Sequence, residues 1–440
     1  MKVLCLFLCM MSFSLEALPY KMTYSTPCRH EGYSFNGKKI NDSGQILASI
    51  DLYHFYGNEE GGAVIIDPKT GISVKFLDEQ RHVKFLNNNG EILGSFSFCG
   101  ENYPFIYKKN FYGRPFVCYL NLFRSCYNKF GVYDESMFYI PYALKSTDDF
   151  DEEADATEDE QELTIDDSLT RYAWDANCPL PAEPIAFSDD GCVIGHYKID
   201  GKEKVFSWFK GLTYEIETNI IKDLGICDIY HIKSLRVTDF CGRGVVGYFC
   251  GYKKKGVGKF KKLNYMPFVW IWDGNENRST ILPIIGASEQ RLSKMKSNKN
   301  GVIVIPNKRE TDIWTYSKLE KKYEKTSIEN FSFVAINDNN VMVGKGLDQH
   351  SNTEYPAVWQ DGIVINLEEH LDILFLDKRY PLEVIDISNK GKILCSFRKK
   401  IDSFEDEDED DSFYLGIIEE EIIEKMDEEE IDDDAMSITL

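Results

Sequence analysis

The sequence predicts an all-β protein, a β-propeller of seven blades with six or eight as the neighbouring counts, on three observations. One turn motif recurs along the 440 residues, an aromatic strand motif alternates with it, and long helical periodicity is nearly absent. The chain is 43% hydrophobic and 13% aromatic, enough apolar material for a packed core and unlike a disordered protein.

The turn motif reads apolar, Asn or Ser, two polar residues, Gly, one variable residue, two aliphatics and often a second Gly. It is written in full from Ile40 to Leu47, Leu86 to Gly94, Phe187 to Gly195, Ile336 to Gly344 and Ile387 to Cys395. The copy from Asn298 to Val304 departs from it, and a degenerate copy from Val237 to Gly247 carries extra residues. Asn, Asp and Ser side chains can accept from the backbone two residues onward, and Gly then takes the positive-φ position, so each copy predicts a tight reversal between strands. Asn340 stands where Gly is missing and is the residue type that best tolerates that conformation. The aliphatic pair and following Gly predict a buried strand closely approached by its neighbour. The Asn and Asp residues are therefore read as turn formers, not as catalytic groups.

The second motif is a short apolar-aromatic strand ending in a polar turn. It appears as KVFSWFKG up to Gly211, PFVWIWDG up to Gly274, DIWTYSK up to Lys318 and PAVWQDG up to Gly362, with GAVIIDPKTG and PFVCYLN as weaker relatives. Five of the six Trp lie in these segments and are expected to pack between repeats. The turn Gly or its substitute falls at 44, 90, 191, about 243, 301, 340 and 391, mostly at the spacing of a four-stranded blade. The interval from 90 to 191 is double, and Met137 to Leu144 could supply a blade that lost its turn. The ring is expected to close by N- and C-terminal strands sharing one blade.

The pairing of an INDxGxIVG-like turn with a PxVWxDG-like strand resembles the HAF repeat of extracellular bacterial proteins. Asn337, Asp338, Gly344, Pro356, Ala357, Val358, Trp359, Asp361 and Gly362 carry the likeness most closely, and it extends over roughly residues 36 to 416 apart from the acidic insertion. The resemblance implies a secreted or surface repeat protein and no defined reaction.

Domain boundaries follow from composition. Residues 1–18 read as a signal peptide, since Lys2 precedes an apolar run from Val3 to Phe13 that is too short to span a membrane as a helix. Residues 19–418 are assigned to the propeller, with 146–169 as an acidic, disordered insertion, and 419–440 as an acidic tail. Ile418, Ile422 and Met426 give that tail a helical spacing. The net charge of -23 is uneven: Asp148–Asp167, Glu405–Asp411 and Glu419–Asp434 together carry about -29, which leaves the rest near +6. The acidic segments could attract Ca²⁺ or a basic partner, and serve equally as solvated spacers. Lys253 to Lys262 forms a basic loop that could meet an anionic surface, although export argues against nucleic acid.

Chemistry leaves no local signature. The seven His are scattered, and no HExxH, CxxC, P-loop, dinucleotide fingerprint or G-x-S-x-G elbow is present. The sequence thus nominates no catalytic residue, no cofactor-binding residue and no metal ligand. Cys241 with Cys250, or Cys118 with Cys126, lie close enough in sequence to pair, whereas Cys192 and Cys395 read as small buried residues. His196, inside a repeat strand, reads as structural. The expected function is that of a secreted or surface module binding a protein or glycan, outside the cytoplasm and without a transmembrane segment. A polysaccharide hydrolase or lyase with carboxylates at the channel mouth is the alternative, and a structural envelope protein cross-linked through Cys is the second alternative.

Overall fold

In the computed structural model every copy of the turn motif joins the first long strand of a small antiparallel sheet to the next, and seven such sheets are present. The structure describes residues 20–27, 29–30, 33–52, 61–77, 81–98, 101–109, 115–119, 181–199, 201–209, 212–242, 244–254, 263–272, 279–284, 286–307, 310–371, 382–398 and 413–420. Strand β1 (Tyr20–Pro27) comes first in the chain but belongs to the last blade. Blade 1 contains β2 (Arg29–His30), β3 (Tyr33–Ile40), β4 (Ile46–Leu52), β5 (Gly61–Asp67) and β6 (Gly71–Leu77). Blade 2 contains β7 (Arg81–Leu86), β8 (Ile92–Phe98), β9 (Glu101–Lys109) and β10 (Pro115–Tyr119). Blade 3 contains β11 (Ala182–Phe187), β12 (Val193–Ile199), β13 (Lys202–Phe209) and β14 (Leu212–Glu215).

Helices α1 (Glu217–Asp223) and α2 (Ile226–Ile229) lead to blade 4, made of β15 (Tyr230–Phe240), β16 (Gly244–Lys253), β17 (Leu263–Ile271) and β18 (Thr280–Ile281). Helix α3 (Glu289–Leu292) leads to blade 5, made of β19 (Lys296–Ser297), β20 (Ile303–Pro306), β21 (Glu310–Ser317) and β22 (Lys322–Glu329). Blade 6 holds β23 (Phe331–Ile336), β24 (Met342–Leu347), β25 (Glu354–Gln360) and β26 (Ile363–Asn366), followed by α4 (Leu367–His370). Blade 7 holds β27 (Glu383–Ile387), β28 (Ile393–Arg398), β29 (Phe413–Glu420) and β1. The first long strand of each blade touches the corresponding strand of the next, from β3 through β7, β11, β15, β19, β23 and β27 back to β3, so these strands form the inner ring.

The aliphatic pair of the motif explains how the sheets hold together. Successive side chains of a strand point to opposite faces, and in a propeller both faces are covered by neighbouring blades. The first member of the pair (Ile46, Ile92, Val193, Val245, Ile303, Met342, Ile393) enters the apolar cluster shared with the preceding blade. The second (Leu47, Leu93, Ile194, Val246, Val304, Val343, Leu394) enters the cluster shared with the following blade. All fourteen are 0–1% exposed. Trp208, Trp270, Trp314 and Trp359 occupy one equivalent place, each paired in register with the first aliphatic of its blade and packed toward the preceding blade. Tyr107, Ile66 and Ile418 fill the same place in blades 2, 1 and 7. Trp272 is the exception to the expected row, being 41% exposed at the end of β17.

The Gly after the aliphatic pair meets a bulge in the first strand. At Gly344 an added Cβ would lie 2.1 Å from the Ser332 carbonyl oxygen, and at Gly247 2.1 Å from that of Arg236. The register shifts at the same level, between Phe333 and Ala335 and between Val237 and Asp239. An extra residue on one strand pushes its carbonyl toward the partner, and only Gly leaves room.

Closure is as expected, and the blade is now identified: β1 pairs antiparallel with β29 from Tyr20 opposite Glu420 to Pro27 opposite Tyr414. Strand β29 runs to Glu420 and so takes in the first two residues of the expected acidic tail, and Ile418 is buried in it instead of opening a helical stripe. Blades 2 and 3 touch directly through β7, β8, β9 and β11, so no blade stands between them. Met137–Leu144, the signal segment, the acidic insertion 146–169 and residues 421–440 lie outside the described residues. Cys241 and Cys250 are both unpaired, because Cys241 stands at the turn end of blade 4 while Cys250 lies well along β16 opposite Ser234. Cys126 lies outside the described residues. Among the described residues no helix is long and apolar enough to cross a membrane.

Candidate functional site

The strand directions divide the propeller into two faces. First and third strands run toward one face, which carries the repeated turns; second and fourth strands run to the other, which carries the second-to-third-strand loops and the blade-to-blade connections, including α1 to α4. Both faces are candidates for a site, because channel mouths and loop clusters are the usual concavities of such folds.

On the turn face six copies place an Asn or Ser at the head of the turn, buried at Asn41, Asn87, Asn298, Asn337 and Ser388 and half-buried at Ser188. Oδ1 of Asn337 accepts from the backbone N–H of Asn339 and of Val341, both at 3.0 Å. Asn41, Asn87 and Asn298 repeat the pattern, and Ser188 and Ser388 bond the second of those donors through Oγ. Gly44, Gly90, Gly191, Gly301 and Gly391 have φ between 73° and 90°, and Asn340 sits at 64°. The bending role read from the sequence is therefore present.

The same residues also do something that the sequence reading missed. Nδ2 of Asn337 donates to the Ser388 carbonyl of blade 7 at 3.1 Å, and Nδ2 of Asn298 donates to the Asn337 carbonyl at 2.9 Å. Asn41 reaches the Asn87 carbonyl, and Asn87 reaches that of Ser188. At the next position the backbone N–H of Asp42, Asn88, Lys299 and Asp338 donates to Oδ1 of Asn88, Asp189, Asp338 and Asn389, at 2.9–3.0 Å. Lys390 N–H carries the belt from blade 7 to blade 1, donating to Asp42 Oδ1 at 3.2 Å. Between blades 4 and 5 the link is reversed: Ser297 donates to Asp239 and to the Phe240 carbonyl. The turns thus form a hydrogen-bonded belt from blade to blade. Its signal in the sequence is a second Asn or Asp beside the first, one more amide or carboxylate than a turn requires.

The belt decides the chemistry of this mouth. Lys299 Nζ pairs with Asp338 at 3.0 Å, and Asp338 holds its ammonium above the ordinary range, with smaller contributions from Asp189 and Asp42. The carboxylates that the enzyme alternative would use are already engaged: Asp42 by Lys390, Asp189 by Asn88, and Asp338 by Lys299. Asp386 is likewise committed, accepting from Lys39 Nζ at 3.0 Å and Ile40 N–H at 3.1 Å across the blade 7 to blade 1 closure. Among the described residues no group of three or more His, Cys, Asp or Glu is placed to hold a metal ion.

The opposite face has a cleft of about 900 Å³ at the lower end of blade 6, lined by Asp348, His350, Glu354, Tyr355, Glu368 and Glu369 among others. Asp348 accepts from Ser351 Oγ at 2.6 Å and His350 N–H at 2.9 Å, which hold its carboxyl below the usual range and fix the loop. Burial pushes the Tyr355 hydroxyl up, with Glu369 and Asp348 adding to the shift. The lining offers acceptors in excess of donors, suited to polar or cationic surfaces. The same face carries the strand ends that flank residues 120–180, 255–262 and 399–412, the stretches holding two of the acidic runs and most of the basic loop. The basic loop and both acidic runs themselves fall outside the described residues, except Lys253 and Lys254.

Solved structures align with the chain at low overlap and low identity. TolB from Acinetobacter baumannii aligns with a TM-score of 0.33 and 8% identity over 70% of this chain and 58% of its own, so the present chain spans about three fifths of TolB's length. An ulvan lyase of the polysaccharide lyase family PL25 gives 0.36 and 8% over 92% of this chain and 95% of that one, and the polysaccharide lyase Uly1 gives 0.30 and 8% over 91% and 90%. At such overlap and identity the likeness carries nothing about activity. No family model matches the chain. No curated protein matches it either.

Proposed function

We propose that the chain is a secreted binding propeller of the HAF-repeat type, with residues 1–18 as its signal peptide, that holds a protein or glycan on the face opposite the belt. The observation that carries this reading is the division of labour between the faces. The Asn and Asp side chains of the repeated turns are spent on one another, whereas most of the long non-repeating connections, among them those from Tyr119 to Ala182 and from Arg398 to Phe413, return to the opposite face, where the cleft also lies. Loops held on a rigid scaffold are where recognition residues accumulate. The reading of a Cys-linked envelope protein draws less support, since of the five thiols whose burial is described four are buried and Cys227 is exposed.

The test compares both faces of the exported chain against a panel of defined neutral and anionic polysaccharides and a basic polypeptide. Asp348→Asn with Glu354→Gln and Glu369→Gln alters the cleft; Asp42→Asn alters the belt. Binding weakened by the cleft variant and unaffected by Asp42→Asn is the expected result. Binding that responds only to the belt change, or depolymerisation of a polysaccharide by the purified chain, would overturn the proposal.

A further inference from the structure

We propose that the seam between blades 3 and 4 is an acid-sensitive joint of the ring, with His196 as its trigger. Two independent features single out this seam. Among the described residues the belt has turn-to-turn bonds from blade 1 to 2, 2 to 3, 4 to 5, 5 to 6, 6 to 7 and 7 to 1, and none from 3 to 4. The gap coincides with the degenerate turn copy of blade 4, which is not longer than the others but one residue shorter: Phe240 faces Val245 as Ile336 faces Met342, and Cys241 and Gly242 stand where blade 6 has Asn337 and Asp338. The second feature is His196 itself, which is 3% exposed and faces β15 across the same seam.

The contacts of His196 suit one protonation state. Nε2 lies 3.5 Å from the Val237 carbonyl, so the neutral ring places its N–H there. Nδ1 has no hydrogen-bond partner, so a second proton on the ring would have no acceptor. The charged groups facing the ring are Glu183 from β11, Glu203 from β13 and Arg236 from β15. Arg236 and Glu203 pair at 2.9 Å across the seam, and Glu183 is held by Lys84 at 3.2 Å. A charged imidazolium would repel the Arg236 guanidinium, or would draw Glu203 away from it; either outcome weakens the tie across a seam that has no belt link among the described residues.

The sign follows from proton linkage. Burial, the largest influence, lowers the affinity of His196 for a proton; the attraction of Glu203 is smaller and opposes it, and Arg236 reinforces it. The unfolded chain, with an ordinary value of about 6.5, therefore binds the proton at a higher pH than the folded chain does. Stability from this site is full above that pH and is lost as the pH falls toward the folded-state value.

The experiment measures thermal unfolding of the full chain and its His196→Gln variant at about pH 7.5 and about pH 5, with amide hydrogen exchange at each pH. The expected result is a midpoint that falls by roughly 2 °C more in the wild type than in the variant. Corrected for intrinsic rates, exchange in β12 and β15 should rise before that of other strands, and only in the wild type. An equal fall in both chains, or opening that begins at another interface, overturns the proposal. Should the variant not fold, the wild-type His196 resonance decides: titration below the ordinary imidazole range supports the joint, and titration within that range overturns it.

Discussion

Asn337 performs two jobs with one amide, and they can be separated. Its oxygen holds the turn, accepting from Asn339 and Val341, while its nitrogen holds the next blade at Ser388. Asn337→Asp retains the acceptor and replaces the donor with a second oxygen facing a carbonyl. A residue that only bends the chain would tolerate this change; the belt predicts a loss of about 1–3 kcal/mol, read as a shift in the denaturant midpoint. Gly344→Ala is a harsher case, because its Cβ would lie 2.1 Å from a backbone oxygen that the bulge fixes in place. Roughly 3 kcal/mol of destabilisation is expected from that overpacking. Thiol chemistry provides a third check at this scale. Burial pushes the thiols of Cys192 to about 11 and Cys241 to about 12, while Cys227 is exposed. Alkylation of the folded chain near neutral pH should therefore label Cys227 and spare Cys192 and Cys241, as peptide mapping would show.

Among the elements, β21 depends on a carboxylate that the sequence did not flag. Asp312 is 2% exposed and accepts from Arg291 Nη2 at 2.7 Å, Lys325 Nζ at 2.9 Å and Ser327 Oγ at 3.0 Å. It ties α3 and the edge strand β22 to β21. Asp312→Asn should cost about 2 kcal/mol, below the range for a wholly buried pair because Lys325 is 41% exposed and partly rehydrates. Repeated elements were legible because their turns and aliphatic pairs recur, and the place of Trp208, Trp270, Trp314 and Trp359 followed from the same repetition. Asp312 and the Arg236–Glu203 pair were not legible, since they join segments whose separation in sequence follows no repeat. The belt was only half legible: the Asn and Asp residues were visible, but their second partners lie one blade away. Whether Met137–Leu144 formed a blade could not be decided from spacing alone. The direct contact of β11 with β9 settles that blades 2 and 3 are neighbours.

At the scale of the whole molecule the ring is held by seven apolar clusters, one at each interface between blades, and blade 7 itself is completed by pairing β1 with β29. Because blades 2 and 3 already touch, replacing residues 146–169 with a short polar linker should leave the unfolding midpoint nearly unchanged. A large fall would show that the acidic run contributes to the fold. Removing β29 should act very differently. It contributes Leu415 and Ile417 to the cluster between blades 7 and 1, and Ile418 to the cluster between blades 6 and 7; all three are 0–1% exposed. At about 2–3 kcal/mol for each buried aliphatic, the loss approaches the net stability of about 5–15 kcal/mol typical of a folded domain. It also leaves β1 without its strand partner and β28 with an open edge. A chain ending after residue 420 should therefore unfold cooperatively at close to the full-length midpoint, whereas one ending at residue 412 should show no cooperative transition by calorimetry. Equal behaviour of the two truncations would mean that the ring does not depend on joining its ends.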